Sequence, residues 1–143
     1  MNETRRDIEF TTEVGRIDMK TLGTFYESVG FGKAEDYEVP QVSLERLFGP
    51  GTYGFFAFDD GRLVGMARVF SDDVLCTWIA EMGVHPAWQG RGIGGALLDR
   101  INERFSHTAL YAEPFVGQEA LFAGRGIKVQ SRLTACGRAA VRS

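Results

Sequence analysis

The feature that most constrains this chain is a glycine-rich stretch, residues 90–95, between an apolar segment and an amphipathic one. The segment from Trp78 to Val84 is rich in strand-forming residues, and Pro86 ends it because proline has no N–H to donate to a sheet. From Ile93 onward the apolar residues recur at the spacing of one helical face. A glycine turn that leads into a helix gathers free N–H groups at the positive end of the helix dipole. The stretch therefore predicts a phosphate-binding site.

A dinucleotide-binding fold is one explanation of the glycines. Gly90-x-Gly92-x-x-Gly95 matches its fingerprint, and Glu113 lies at a suitable distance for a ribose contact. Residues 85–89 separate the turn from the strand, however, the chain before it reads as an antiparallel hairpin, and little chain follows for a doubly wound sheet. No Gly-Lys-Ser/Thr string occurs, which excludes a P-loop for nucleoside triphosphates.

The longer string around the turn reads Val84-x-Pro86-x-Trp88-Gln89-Gly90-Arg91-Gly92-Ile93-Gly94-x-Ala96-Leu97. It resembles the acyl-CoA signature of the GNAT superfamily of N-acetyltransferases, in which a Gln/Arg-x-x-Gly-x-Gly/Ala motif cradles the pyrophosphate of coenzyme A. The resemblance implies an α/β fold with a mixed (α+β) sheet, the GNAT acyl-CoA N-acyltransferase fold. In that fold a central, mostly antiparallel sheet is splayed at the coenzyme site and flanked by helices.

The resemblance also implies which residues hold the co-substrate, acetyl-CoA. The strand before the turn pairs its main chain with the pantetheine arm, the turn binds the pyrophosphate, and a side chain of the last helix lies near the sulfur. These positions are Met82, Gly83, Val84, Gln89, Gly90, Arg91, Gly92, Ile93, Gly94, Gly95 and Phe122. Gly83 suits a bulge or a close approach, and Arg91 is either a phosphate contact or a solvated loop residue.

Acetyl transfer to an amine needs a group that accepts a proton, because an amine with a pKa of about 10.4 is mostly protonated at neutral pH. Glu81 is the candidate base, since it lies in an otherwise apolar strand, where a charge is costly to bury. The alternative is that Glu81 faces solvent or pairs with Arg68 across the sheet. Asp72, Asp73 and Glu113 are lesser candidates that turn chemistry also explains.

The leaving group marks a departure from the family. Many members carry a tyrosine in the last helix that protonates the departing thiolate, and the matching residue here is Phe122, which has no hydroxyl. A thiol has a pKa of about 8.5, so thiolate is a tolerable leaving group without that donor. Tyr111 is either a substitute acid or a core tyrosine.

The acceptor site is expected near the start of the chain, where two helices are predicted with a loop between them. In the family such a pair roofs the acceptor, so the loop residues Phe31 and Tyr37 are expected to bind the substrate. For Phe25 and Tyr26, on the first helix, core packing is preferred over a place in the pocket.

The hydrophobic pattern predicts a single domain over residues 1–143, with a frayed tail at 137–143. The predicted strands are 7–13, 52–58, 63–70, 78–84, 108–113 and 128–134, and the predicted helices are 18–30, 40–48, 93–105 and 117–124. The family usually closes with two strands after the last helix, whereas this chain has room for one. A partner chain, as in a homodimer, is one way to cover the exposed sheet edge.

The composition argues against several classes of binding partner. A net charge of −3 argues against nucleic acid, and no apolar run approaches the roughly 20 residues that span a membrane. The N-terminus shows no secretory signal. Cys76 and Cys136 lack metal-ligand spacing, so reduced thiols in a cytoplasmic protein, and no metal, are expected.

The chain is therefore expected to be an N-acetyltransferase that moves an acetyl group from acetyl-CoA to a primary amine by direct attack. The acceptor is a small molecule or an exposed protein amine, and the sequence does not name it. The alternative is a weakly active or non-catalytic acyl-CoA-binding GNAT module that acts as a sensor or subunit. The phenylalanine at position 122 favours the module, and Glu81 favours the enzyme.

Overall fold

The structure is a computed structural model that describes residues 7–141. Its strands are β1 (Glu9–Thr11), β2 (Thr52–Asp59), β3 (Arg62–Ser71), β4 (Cys76–Val84) and β5 (Ala109–Ala112). Its α-helices are α1 (Met19–Ser28), α2 (Leu44–Leu47), α3 (Ile93–Arg104) and α4 (Glu119–Ala123). The five strands form a single sheet in the order β1-β2-β3-β4-β5.

The sheet is mixed but mostly antiparallel. β1 to β4 form antiparallel pairs, and β5 lies parallel to β4 because α3 carries the chain back between them. The β2–β3 hairpin turns at Asp60 and Gly61, whose φ angles of 50° and 80° suit a tight hairpin turn. This architecture confirms the predicted fold class, and it rules out the doubly wound fold, which is built on a parallel sheet.

Apolar side chains cover both faces of the sheet. The core under α3 and α4 includes Phe55, Val69, Ile79, Leu97, Leu98, Ile101, Phe105 and Phe122. The core under α1 and α2 includes Leu22, Phe25, Tyr26, Phe56, Phe58, Leu63 and Met66. Burial of each large apolar side chain contributes about 1.5–3 kcal/mol, so the two layers fix the sheet between the helices.

The splay that the resemblance implies at the coenzyme site has a direct counterpart in β4. This strand pairs with β5 only up to Ile79. Its register against β3 shifts just beyond that point, because Val69 pairs with Ile79 whereas Arg68 pairs with Glu81, so Ala80 forms a bulge. The rest of β4 has no strand beside its outer edge among the described residues.

The end of the chain differs from the prediction. Residues 128–134 alternate apolar and polar side chains, but they form no strand. An alternating strand needs a surface on which to bury its apolar face, and Val129 and Leu133 are 78% and 59% exposed here. The predicted last strand is therefore wrong. Residues 137–141 are exposed and irregular, and residues 142–143 of the predicted tail lie outside the described part.

Candidate active site

The unpaired edge of β4 exposes main-chain groups beside the glycine turn. The amide of His85 donates to Val64 O on β3 at 2.8 Å. Because successive residues of a strand point their N–H and C=O groups to opposite edges, Val84 and Met82 point theirs away from β3, into the gap. The side chain of Gln89 donates to Val84 O at 3.1 Å, so Gln89 braces the start of the turn against the end of β4.

The turn itself presents a set of amides at the start of α3. Gly90 and Gly92 have φ angles of 80° and 82°, a conformation that side chains rarely adopt. Gly92 is the N-cap of α3 and supplies no side-chain cap. The first amide after Gly92 with an acceptor among the described residues is that of Ala96, which donates to Gly92 O at 3.0 Å. The amides of residues 93–95 are the free N–H groups of a helix start, and they suit an anion.

The predicted coenzyme residues differ in what their side chains do. Ile93 is buried in the core under α3, so only its main chain faces the turn. Arg91 is exposed, with its guanidinium 5.8 Å from the Trp88 ring. A side chain on Gly83 would lie 3.1 Å from Val29, so the close approach at Gly83 is to α1, and the bulge lies at Ala80 instead.

The main chain of Gly95 binds Arg125, the second residue after the short helix α4. A side chain on Gly95 would overlap the Arg125 guanidinium, which fills that space. Arg125 Nε donates to Gly95 O at 3.1 Å and to Asp99 at 2.9 Å. Next to it, Phe122 is 5% exposed in the core under α3, so its ring is largely covered by protein.

Glu81 lies on β4 directly after the bulge and joins two neighbours. Tyr26 donates its hydroxyl to Glu81 Oε1 at 2.6 Å, and Arg68 donates to Oε1 at 2.8 Å and to Oε2 at 3.3 Å. Arg68 also donates to Leu47 O at 3.1 Å. The pair is half-buried, with side-chain exposures of 15% for Arg68 and 29% for Glu81. Of the alternatives for Glu81, the ion pair with Arg68 is present, and it leaves Oε2 with one long hydrogen bond.

Burial, and after it the negative charge of Glu81, raise the pKa of Tyr26 above its ordinary value of 10.0. Tyr26 therefore stays a hydroxyl donor at any ordinary pH. It is also 1% exposed in the core under α1, as the preference for core packing predicted. The sequence did not predict that its hydroxyl reaches Glu81.

The structure brings the two predicted substrate residues together beside Tyr26. The ring centroids of Phe31 and Tyr37 lie 6.0 and 4.8 Å from that of Tyr26. Tyr37 donates its hydroxyl to Phe31 O, which ties the two ends of the loop. Phe115, which follows β5, lies 6.4 Å from Phe31 and is 70% exposed. These rings form an aromatic wall around Tyr26, which binds the Glu81 carboxylate.

A second set of aromatic residues, which the sequence analysis did not recognise as a group, lies on the same face of the sheet as Arg68. Phe70 pairs with Trp78 and Trp78 with Tyr111, so the three form a row across β3, β4 and β5. The Trp78 and Tyr111 rings are stacked with centroids 6.2 Å apart. We call Phe70, Trp78 and Tyr111 the aromatic strip. Tyr111 is 40% exposed, so its interpretation as a core residue is wrong. The signal available in the sequence was the spacing of Phe70 from Arg68, which places both on one face.

Two of the three lesser acid candidates are explained by turn chemistry. Asp72 Oδ1 accepts the amides of Val74, Leu75 and Cys76. Asp73 binds Arg104 through two hydrogen bonds of 2.9 Å and His107 at 2.8 Å, contacts that lower the pKa of its carboxyl to about 2. Both aspartates fasten the β3–β4 turn, and Glu113 is exposed after β5.

A cleft of about 680 Å³ lies between β1, β2 and α3, away from Glu81. Its cationic side chains are engaged: Arg100 lies 4.4 Å from the Phe10 ring, and Arg104 pairs with Asp73. None of the predicted site residues lines it. Within residues 7–141 no group of three His, Cys, Asp or Glu side chains is placed to hold a metal ion, and no helix there is long and apolar enough to cross a membrane.

Comparison with known proteins identifies the same family as the turn does. The family model described as acetyltransferase (GNAT) matches residues 19–120, which include β4, the glycine turn and α3. Among solved structures, a protein belonging to the GNAT family from Xanthomonas campestris pv. campestris superimposes with a TM-score of 0.72 at 21% identity. The alignment covers 92% of this chain and 94% of that one. At this identity the likeness concerns the fold.

Two curated relatives match most of the chain. An uncharacterised N-acetyltransferase from Prochlorococcus marinus is 26% identical over 73% of this chain and 61% of its own length. A chloroplastic protein of Oryza sativa subsp. japonica named serotonin N-acetyltransferase 2 is 29% identical over 70% of this chain and 52% of its own length. The chain thus spans less than two thirds of the length of either relative.

Proposed function

The chain belongs to the acetyltransferase (GNAT) family, and on that premise we propose that it transfers the acetyl group of acetyl-CoA to a primary amine. The observation that carries the proposal is the unpaired edge of β4, which leads from Glu81 into the free amides at the start of α3. The strand β4 then offers a proton acceptor and main-chain partners for the pantetheine arm, and the turn that follows it offers a pyrophosphate site.

Coenzyme A binds, in this proposal, along Met82, Gly83 and Val84, with its pyrophosphate at residues 89–95. The Met82 amide points into the gap and is placed to donate to the thioester carbonyl oxygen as negative charge develops there. Arg91 is exposed beside the turn and supplies positive charge to the phosphates.

The neutral amine attacks the carbonyl carbon, a C–N bond forms, and the C–S bond breaks to release coenzyme A thiolate. Glu81 Oε2 takes the proton that the amine loses, directly or through a water molecule. Phe122 has no proton to give, so the thiolate leaves as such or is protonated by solvent. The relatives leave the acceptor open, since one has none in its name and the other is matched over only 52% of its length.

One observation favours the second candidate, a GNAT module that binds acyl-CoA with weak or no activity. Glu81 is held by Arg68 and Tyr26, and a carboxylate that forms an ion pair has an evident structural role. This candidate shares the coenzyme site and lacks only the chemical step.

Two measurements separate these functions. Acetyl-CoA at about 100 times its dissociation constant stabilises a protein by about 2.7 kcal/mol, a rise of several degrees in Tm, and NADH is the control ligand. Thiol release in the presence of amines then tests catalysis. Glu81→Gln should lower kcat/KM by about 100-fold or more, with Glu113→Gln, an exposed glutamate directly after β5, as the control. A rise in Tm without thiol release from any amine would favour the module, and no rise would refute the coenzyme site.

A further inference from the structure

The aromatic strip is a partly exposed apolar surface at the end of the sheet nearest the β3–β4 turn. Phe70, Trp78 and Tyr111 are 42%, 37% and 40% exposed. Phe70 is the last but one residue of β3, Trp78 is the third residue of β4, and Tyr111 is the third of the four residues of β5. Large aromatic side chains that share one open surface are typical of binding sites. The strip lies on the same face as α1 and α2, just beyond the part of the sheet that these helices cover.

The strip is continuous with the candidate active site. Arg68 and Phe70 are two residues apart on one strand, a distance of about 7 Å. The Arg68 guanidinium lies 5.1 Å from the Phe70 ring, and the same guanidinium binds Glu81. A ligand on the strip therefore lies next to the Arg68–Glu81 ion pair.

The charges on and beside the strip favour an acceptor with one cationic group, whereas the acidic Asp36 lies in the loop with Tyr37. Glu81 is paired with Arg68, so the pair carries no net charge, and the strip itself contains no charged side chain. A polyamine or an aminosugar carries several cationic groups. Each of them loses hydration on binding and needs an acidic side chain in exchange. A flat aromatic ring, by contrast, stacks on Trp78 and Tyr111 without removing polar groups from water.

We propose that the acceptor is an aromatic monoamine, a flat ring joined to a primary amine by a short chain. Its ring lies on the Trp78–Tyr111 stack, and its amine lies beside Glu81. This inference rests on the proposed acetyl transfer and adds the substrate class and the residues that select it. The strip is thus a specificity-determining surface.

The test compares two amines that differ only in the ring. 2-Phenylethylamine and 2-cyclohexylethylamine have the same chain and amine, but only the first has an aromatic face, and spermidine represents polyamines. The phenyl compound is expected to have a kcat/KM about 2- to 10-fold above that of the cyclohexyl compound, the factor that aromatic pairing contributes. Spermidine is expected to be the poorest acceptor.

Matched variants assign that preference to the strip. Trp78→Leu and Tyr111→Leu should each remove most of the preference and raise the KM for 2-phenylethylamine, with the KM for acetyl-CoA unchanged. Phe10→Leu removes an aromatic residue of β1 that packs on the α3 side of the sheet, so it should leave the preference intact. Binding of 2-phenylethylamine by calorimetry, in the presence of coenzyme A, gives a readout that does not depend on turnover.

The outcomes separate this inference from the proposed function. Equal kcat/KM for the two ring compounds, or a preference for spermidine, overturns the inference and leaves acetyl transfer standing. A dimer that Trp78→Leu dissociates, with amine kinetics unchanged, also overturns it, because the strip is then covered by a second copy. Absence of both thiol release and an acetyl-CoA melting shift would instead refute the proposed function, and the inference with it.

Discussion

At the scale of single residues, the candidate site depends on how one carboxylate is held. Tyr26 and Arg68 both donate to Glu81 Oε1, while Oε2 has only the 3.3 Å contact to Arg68. The two oxygens are thus unequal, because one is saturated by protein donors and the other remains open to an amine. Rigid support of a reactive group on a strand is the arrangement that fixes its position most closely.

Replacement of Tyr26 by phenylalanine tests this support. Tyr26→Phe keeps the buried ring and removes the hydrogen bond to a carboxylate, so the free energy of unfolding should fall by about 1.5–3 kcal/mol at neutral pH. The pH dependence has a defined sign. The pKa of Tyr26 is raised in the folded protein, so this residue stabilises the fold fully below pH 10, its ordinary pKa, and the stabilisation declines as pH rises above that value.

Denaturant unfolding at pH 8, 10 and 11 is the measurement. Between the unfolded and folded pKa values the wild-type protein should lose up to about 1.4 kcal/mol per pH unit through Tyr26, and Tyr26→Phe should be less sensitive by that amount. Tyr53→Phe is the control for loss of a phenol that does not contact Glu81. Parallel alkaline curves for the wild type and Tyr26→Phe would contradict the assignment.

At the scale of elements, the site forms where two regular structures end. β4 continues past the end of β5, and α3 starts from a glycine N-cap instead of a capping side chain. Each end leaves main-chain polar groups without protein partners, a cost that a ligand with matching groups removes. The coenzyme site is thus built mainly from backbone, and glycines suit it because they leave that backbone accessible.

The glycine turn gives a prediction at this scale. Gly92→Ala adds a methyl group where nothing lies within 4 Å, so its cost is the strain of φ +82°, about 1–2 kcal/mol of stability. The same strain should turn the first amides of α3 and weaken acetyl-CoA binding about tenfold or more, since a hydrogen bond to a charged group contributes about 1.5–3 kcal/mol.

A second glycine separates strain from binding. Gly51 has a φ of +81°, and its added methyl group would meet only Ser71 O at an ordinary 3.6 Å. Gly51 precedes β2, away from the turn, so Gly51→Ala should cost similar stability and leave the Kd of acetyl-CoA unchanged. Calorimetric titration of both variants is the measurement, and an equal Kd in both would argue against phosphate binding at Gly92.

At the scale of the whole molecule, the sequence predicted the parts that depend on local pattern. The glycine turn, the helix after it and the β2–β3 hairpin follow from residue types within a few positions, and the structure contains all three. Three features depend on contacts between distant segments: the hydrogen bond from Tyr26 to Glu81, the aromatic strip, and the absence of a strand at 128–134. An alternating pattern shows that a strand has an apolar face, but only the assembled sheet decides whether that face is covered.

The open edge of β5 leads to the last prediction, a homodimer in which this edge pairs with a second copy. Among residues 7–141 no strand lies beside the outer edge of β5, and unpaired edges are ready templates for pairing. The amide of Ala109 donates inward to Leu75 O at 2.8 Å, so by alternation the amide of Ala112 points outward. Proline at 112 therefore removes only a hydrogen bond to the second copy, whereas proline at 109 breaks the sheet within one chain.

Sedimentation over a range of concentrations should give dimers for the wild type and monomers that still bind acetyl-CoA for Ala112→Pro, while Ala109→Pro should lower Tm. A wild-type monomer at every concentration, or a dimer indifferent to Ala112→Pro, would show that the β5 edge is not an interface.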